Sequence, residues 1–183
     1  MDRKQGVYEK YIKRLADIAF ALAVLILFWW LYLIVAVLVR INLGSPVIFK
    51  QLRVGKNEKK FYMYKFRSMT DARDENGDLL SDDVRLTKFG RALRAISIDE
   101  FPEFFNILKG DMSVIGPRPL LVRYLDRYNE EQHHRHDVRP GLTGYAQTHG
   151  RNGVSWEDKF AMDVWYTKHI TLIGDIKIAL DTV

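Results

Sequence analysis

At 183 residues the chain has room for one domain of ordinary size and one appended element. It contains no cysteine, which excludes disulfides and thiolate metal sites and suits a reducing compartment. A net charge of +5 favours an anionic partner, whether nucleic acid, an acidic membrane face or a phosphorylated substrate, and the slightly negative mean hydropathy excludes a multi-span membrane protein.

Ile18 to Val39 is an uncharged apolar run of 22 residues. As a helix it reaches about 33 Å, enough to cross a bilayer core. It is too long for a signal peptide, and Arg40-Ile41-Asn42 is no small-residue cleavage site, so the run is expected to stay as an anchor. Arg3, Lys4, Lys10, Lys13 and Arg14 precede it; Arg40, Lys50, Arg53, Lys56, Lys59 and Lys60 follow. The positive-inside tendency draws both flanks to the cytoplasm. A straight span satisfies one flank only, whereas a helix that enters and turns back satisfies both. A re-entrant hairpin is therefore the expectation and a straight span the alternative. No proline, glycine or serine lies within the run to break it, and Trp29, Trp30 and Tyr32 occupy its middle. It lacks the polar face of an ordinary surface helix.

Val47–Gln51 and Lys60–Phe66 read as two short strands around a Gly55-Lys56-Asn57-Glu58 turn. Asp71 to Asp82 is polar, acidic and loop-like. Val84–Arg94 and Ser97–Leu108 carry helical patterns, the second stopped near Gly110. Gly116-Pro117-Arg118-Pro119 is extended, because each proline restricts its own φ and the residue before it. Leu120–His136 is expected to be helical, Arg139–Asn152 to be a glycine-studded loop, and Trp156–Lys168 to be an amphipathic helix. Ile170–Leu180 adds a further apolar stretch. The aromatics and lysines of this last third suit either a membrane surface or core packing.

Ser97-Ile98-Asp99-Glu100 has the spacing of a capping box, with Ser97 as N-cap and Glu100 three positions on. That pattern begins many helices without further function. Here it also places Asp99 in a first helical turn, where the dipole and free N–H groups favour negative charge and can receive a phosphoryl group. An ionised carboxylate is a competent nucleophile toward phosphorus. Glu100 beside it offers the oxygen ligand that Mg²⁺ prefers. Lys65, Arg67, Arg94, Arg118, Arg139 and Arg151 are candidate phosphate partners, Arg118 being pinned between prolines. Any one of them alone reads as a solvated surface cation. His133 and His136 share a helical face, but without cysteine or an HExxH motif His133-His134-Arg135-His136 reads as hydrated basic surface. Neither a dinucleotide fingerprint nor a P-loop is present.

The motifs, in order, are Tyr64-Lys65-Phe66-Arg67-Ser68-Met69, Thr87-Lys88-Phe89-Gly90-Arg91 with Leu93-Arg94, and Ser97-Ile98-Asp99-Glu100-Phe101-Pro102. Asn106 to Ser113, Val114 to Pro119, Arg139 to Gly144 and Gly150-Arg151-Asn152 complete them. With these the chain resembles the small monotopic phosphoglycosyl transferases, also called the bacterial sugar transferase family, from Lys13 to about Lys177. The resemblance implies an α+β fold with an N-terminal membrane helix, a small β-hairpin and several helices at the membrane surface. Residues 1–43 would be the anchor, and 44–183 a catalytic domain facing the cytoplasm on a bacterial inner membrane. It implies a ping-pong reaction. Asp99 would attack the β-phosphorus of a UDP-sugar and release UMP, and a polyprenol phosphate such as undecaprenyl phosphate would then take the sugar phosphate. Glu100 would hold Mg²⁺, Lys65, Arg94 and Arg118 would neutralise phosphate oxygens, and Arg67, Arg139 and Arg151 would serve the nucleotide or order a loop. The partners implied are the UDP-sugar, the polyprenol phosphate and membrane lipid but no nucleic acid, with a homodimer left open.

The sequence departs from the family pattern where relatives carry a Ser-Pro break in the apolar segment, since Trp29-Trp30 stands there. Tyr145 replaces a usual tryptophan, and relatives continue beyond the final helix. A non-catalytic, membrane-tethered basic module is the alternative from another class, and a phosphohydrolase on the same carboxylate pair is a third reading.

Overall fold

The computed structural model describes residues 5–150 and 153–182. A π-helical turn, Tyr8–Ile12, leads into helix α1, Lys13–Leu43. Together they form the one helix, among the described residues, long and apolar enough to cross a membrane. Helical dihedrals fail inside α1 at Phe28 (φ −114°, ψ 17°), directly before the tryptophan pair. The Trp30 indole N–H donates to the Leu27 carbonyl at 3.0 Å, inserting a side chain at the break. A side chain entering the backbone ladder is a known cause of kinks, so the helix is interrupted without proline.

A stripe along α1 faces the rest of the protein on both sides of this break. Asp17 and Ala21 are buried from the first half, and Val35, Val39 and Leu43 from the second. Ala21 joins Phe61, Met63, Phe104, Ile107 and Met112 in one apolar cluster, while Val35, Val39 and Leu43 join Phe66 and Leu93 in another. Asp17 accepts from the Ser113 hydroxyl and the Val114 N–H, both at 3.0 Å. The opposite side, including Leu22, Ile26, Trp29, Leu33, Val37 and Ile41, is exposed.

Strands β1 (Ile48–Val54) and β2 (Lys60–Phe66) pair antiparallel, from Ile48 with Phe66 to Val54 with Lys60. The first strand runs three residues past its expected end at Gln51, because Leu52, Arg53 and Val54 keep the register with Tyr62, Phe61 and Lys60. Asn57 and Glu58 take left-handed backbone in the turn.

The next two expected helices are each divided, for local reasons. The Thr87 side chain accepts the Gly90 N–H at 3.0 Å and caps a new start. Helix α2 therefore spans Asp82–Arg85 and α3 spans Lys88–Ala95. Similarly, Ser97–Leu108 is a 3₁₀ turn, Ile98–Glu100, followed by α4, Glu103–Lys109. Pro102 has no N–H to return to the preceding turn, so the hydrogen-bond ladder restarts after it. The expected stop at Gly110 is present. At φ +91° its N–H reaches the carbonyls of Asn106 and Ile107, as a left-handed C-terminal residue can.

Beyond α4, strand β3 (Ser113–Ile115) pairs in parallel with β4 (Gly141–Thr143). The stretch expected as a plain glycine-rich loop thus contains a strand, and after it a short helix lies at Tyr145–His149. Leu120–His136 is only intermittently helical, with 3₁₀ turns at Val122–Arg127 and His134–His136 around four α-helical residues, Glu130–His133. Trp156–Lys168 is a helix as expected, and the last helix covers Leu172–Thr182.

The histidine-rich segment is not the hydrated surface its composition suggests: Arg135 and His136 are both buried. Arg135 directs Nε and Nη2 to Asp163 Oδ2 at 3.1 and 2.6 Å, and Nη2 also reaches the Arg118 carbonyl at 2.8 Å. Removing one partner of a buried ion pair strands the other charge. Asp163→Ala should therefore cost about 3–5 kcal/mol, read as a lower denaturation midpoint in detergent.

Candidate active site

A cleft of about 640 Å³ opens on the side of the hairpin that carries Lys65. Phe49 and Lys65 are directly paired across the two strands, so their side chains share a face. Lys65, Arg67, Arg94, Asp99, Glu100 and Arg118 all line this cleft. These six residues come from three segments, 65–67, 94–100 and 118, which converge there.

Close backbone packing sets the far wall. A side chain at Gly90 would place its Cβ 1.8 Å from the Ser68 carbonyl oxygen, so only glycine lets α3 lie on the strand exit. That contact brings Arg94 Nε to Ser68 Oγ at 2.9 Å. Arg118 comes from the opposite wall, its carbonyl held by the buried Arg135.

Asp99 sits in the 3₁₀ turn and is 7 % exposed. The capping box expected around it is not formed. Ser97 adopts left-handed backbone at φ 55° with no side-chain cap, and α4 begins only at Glu103. A non-glycine residue in that region is locally costly, and such strain tends to sit at functional turns. The electrostatic expectation changes with it. Burial pushes the Asp99 carboxyl up, and Glu100 adds to that, while Lys65 and Arg94 pull it down. Its charge thus depends on neighbouring cations rather than on a helix dipole.

Glu100 is the hub of those cations. Lys65 Nζ lies 2.5 Å and Arg118 Nη2 3.0 Å from its Oε1. Burial alone would raise this carboxyl, but Arg118 and Lys65 outweigh it and hold it below the ordinary range. Both contacts use Oε1, so neither cation holds the second oxygen. Mg²⁺ commonly takes one or two carboxylates and completes its shell with substrate phosphates and water. The pair fits that donor set.

Glu103 was missed in the sequence because it looks like any exposed first-turn glutamate. It is 3 % exposed, and Lys65 Nζ lies 3.2 Å from Oε1, outside hydrogen-bonding geometry. Burial pushes its carboxyl up to about 7, against the pull of Lys65. A raised carboxyl binds its proton more tightly in the folded state. Its contribution is neutral below the ordinary value of 4.5 and costs stability as pH rises toward about 7. Glu103→Gln should therefore leave thermal stability unchanged near pH 4 and raise it at pH 8, by on the order of 3 kcal/mol.

Other expected site residues lie differently. Arg67 lines the cleft, but its guanidinium binds the carbonyls of Met69 and Ser45 and the Asp71 carboxylate, which makes it a tie between loops. Arg139 is outside the cleft. Its Nε donates to the Gly110 carbonyl at 2.8 Å, while Arg14 takes the Ile107 and Leu108 carbonyls, so both arginines cap the negative end of α4. Arg151 lies outside the described residues. Arg53 and Arg85 also line the cleft. Arg53 alternates with Gln51 and Phe49 along β1, a signal visible once the strand is extended to Val54.

The profile of the bacterial sugar transferase family matches residues 8–183. The chain is 52 % identical over 172 residues to the sugar transferase EpsL of Bacillus subtilis (strain 168), covering 94 % of this chain and 85 % of that one. It is 40 % identical to a UDP-N-acetylgalactosamine-undecaprenyl-phosphate N-acetylgalactosaminephosphotransferase of Aeromonas hydrophila, over 94 % of this chain and 43 % of the relative. It is 39 % identical to a UDP-glucose:undecaprenyl-phosphate glucose-1-phosphate transferase of Klebsiella pneumoniae, over 93 % and 39 % respectively. The chain thus spans less than half the length of those last two.

Proposed function

Because the chain belongs to the bacterial sugar transferase family, we propose that it transfers a sugar 1-phosphate from a UDP-sugar to undecaprenyl phosphate at the cytoplasmic face of a bacterial inner membrane. One observation carries the reading. The turn bearing Asp99 and Glu100 faces the cationic cleft, while its flanking residues Ile98 and Phe101 pack on the membrane helix. Phe101 meets Phe28, the residue at the helix break, with ring centroids 6.2 Å apart. A carboxylate in this turn would be reachable by a water-soluble nucleotide sugar from the cleft and by a lipid-borne phosphate from the helix side, which supports the reading.

In the first half-reaction an Asp99 carboxylate oxygen attacks the β-phosphorus. The bond from that phosphorus to the bridging oxygen breaks, and UMP leaves with the electron pair. In the second, the phosphate oxygen of the polyprenol attacks the same phosphorus, and the Asp99 carboxylate departs. Lys65, Arg94 and Arg118 neutralise phosphate oxygens throughout, acting at short range in a partly desolvated cleft. Mg²⁺ held through Glu100 would add charge neutralisation on the diphosphate.

The anchor is re-entrant in this reading. What supports it is that both halves of α1 bury side chains against the remainder of the chain, Ala21 from the first half and Val35, Val39 and Leu43 from the second. Two of the cations are held by acidic side chains and are not displayed to a polyanion, Lys65 by Glu100 and Glu103 and Arg135 by Asp163, which supports an enzyme over a tethered basic module.

A panel of UDP-sugars assayed for UMP release, with mass spectrometry of the intact protein, tests the proposal. One sugar should give UMP and a protein mass increased by one phosphosugar, discharged on adding undecaprenyl phosphate. UMP release with no adduct at Asp99 under any quench condition would overturn the covalent route.

A further inference from the structure

A second cluster of ligand atoms lies away from the cleft. Glu58, in the hairpin turn, has Oε1 2.5 Å from His133 Nδ1 and 3.9 Å from His136 Nδ1. One ligand atom from each of the three residues falls within 4.8 Å of the others.

His136 makes this more than a surface ion pair. Its side chain is 5 % exposed, and among the described residues neither ring nitrogen has a hydrogen-bond partner of good geometry. An imidazole buried with both nitrogens unmatched costs about 1–3 kcal/mol and calls for a physical reason. A neutral imidazole is the form that ligates metals. The neighbouring rings close the site: Tyr128 lies 5.7 Å from His133 and 5.4 Å from His136. Glu58 and His133 are partly exposed, which leaves an entry path.

We propose that Glu58, His133 and His136 form a binding site for one divalent transition-metal ion of the zinc type, distinct from the Asp99–Glu100 cleft. Two imidazoles and a carboxylate are a common zinc donor set, with the fourth position left to water. Metal–ligand distances of about 2.0–2.1 Å would set the ligand atoms roughly 3.3 Å apart. The two separations from Glu58, 2.5 and 3.9 Å, bracket that value, and all three ligand atoms lie within 4.8 Å of one another, so binding calls for side-chain adjustment and not for a change of backbone. Mg²⁺ prefers an all-oxygen shell and would not compete. A bound ion would tie the β1–β2 turn to the segment that follows Arg118, stapling two elements that each feed a cation into the cleft.

The full chain in detergent or nanodiscs, purified without a histidine tag and stripped with chelator, is titrated with Zn²⁺ against a chromophoric chelator in excess Mg²⁺. Expected is one equivalent of Zn²⁺, bound roughly tenfold or more tightly than by His133→Asn or Glu58→Gln. Co²⁺ should give the intense visible absorption of a low-coordinate site, lost in the same variants, and Zn²⁺ should raise the melting temperature of the wild type only. His134→Asn, outside the cluster, should bind like the wild type. His136→Asn tests the buried ligand, but the two half-exposed positions decide the matter even if that variant does not fold. Sub-stoichiometric binding, or affinity left within about twofold by both His133→Asn and Glu58→Gln, would overturn the site.

Discussion

Asp99→Asn is expected to lower UMP release from the preferred UDP-sugar by about 10³-fold or more, and to remove the phosphosugar adduct from the intact mass. The amide keeps the size of the acid but lacks the anionic oxygen that would form the bond to phosphorus in the proposed route. It also removes a buried charge that burial already disfavours, so the variant should fold at least as stably as the wild type. A melting temperature that holds while turnover collapses separates chemistry from folding. Binding of UDP-sugar, measured calorimetrically, should persist and even tighten, since one negative charge leaves the cleft.

Lys65→Met carries the second-largest effect, with UMP release falling by about 10²–10³-fold. Lys65 bridges Glu100 and Glu103 and also lowers the proton affinity of Asp99. Its loss removes a phosphate partner and leaves three carboxylates with less positive charge among them. The pH profile should therefore shift alkaline, because Asp99 must be ionised to attack and now holds its proton more tightly. Lys65→Arg keeps the charge and should recover part of the rate and the original profile. An unchanged profile in Lys65→Met would place the lysine outside the nucleophile's electrostatic environment.

Much of this was legible in the residues because the signals are local. A 22-residue apolar run, a glycine-containing turn between alternating strands, and an amphipathic stretch ending at Lys168 each specify themselves. The pinned Arg118 and the paired acids at 99 and 100 were readable as chemistry, and the fold brings them together with Lys65 and Arg94. What stayed hidden depends on distant partners. A three-residue strand such as Gly141–Thr143 has no period of its own and exists only because Ser113–Ile115 lies beside it. Arg139 looked like a phosphate ligand because an arginine next to glycines does not disclose that it caps another helix. The S-x-x-E spacing at Ser97 suggested a cap, whereas Pro102 moves the helix start downstream and leaves Asp99 in a tighter, drier turn. His136 gave no sign of its burial, since composition cannot show which face of a broken segment turns inward.

Ala21, Val35, Val39 and Leu43 complete apolar clusters whose other fully buried members belong to the remainder of the chain. Anchor and enzyme are consequently one cooperative body, not a tool on a handle. Cutting the chain after residue 43 should yield not a soluble, active fragment but an aggregating one, with Phe66, Met63 and Phe104 laid bare, and any strategy for handling this protein in water has to bring its lipid-facing helix along.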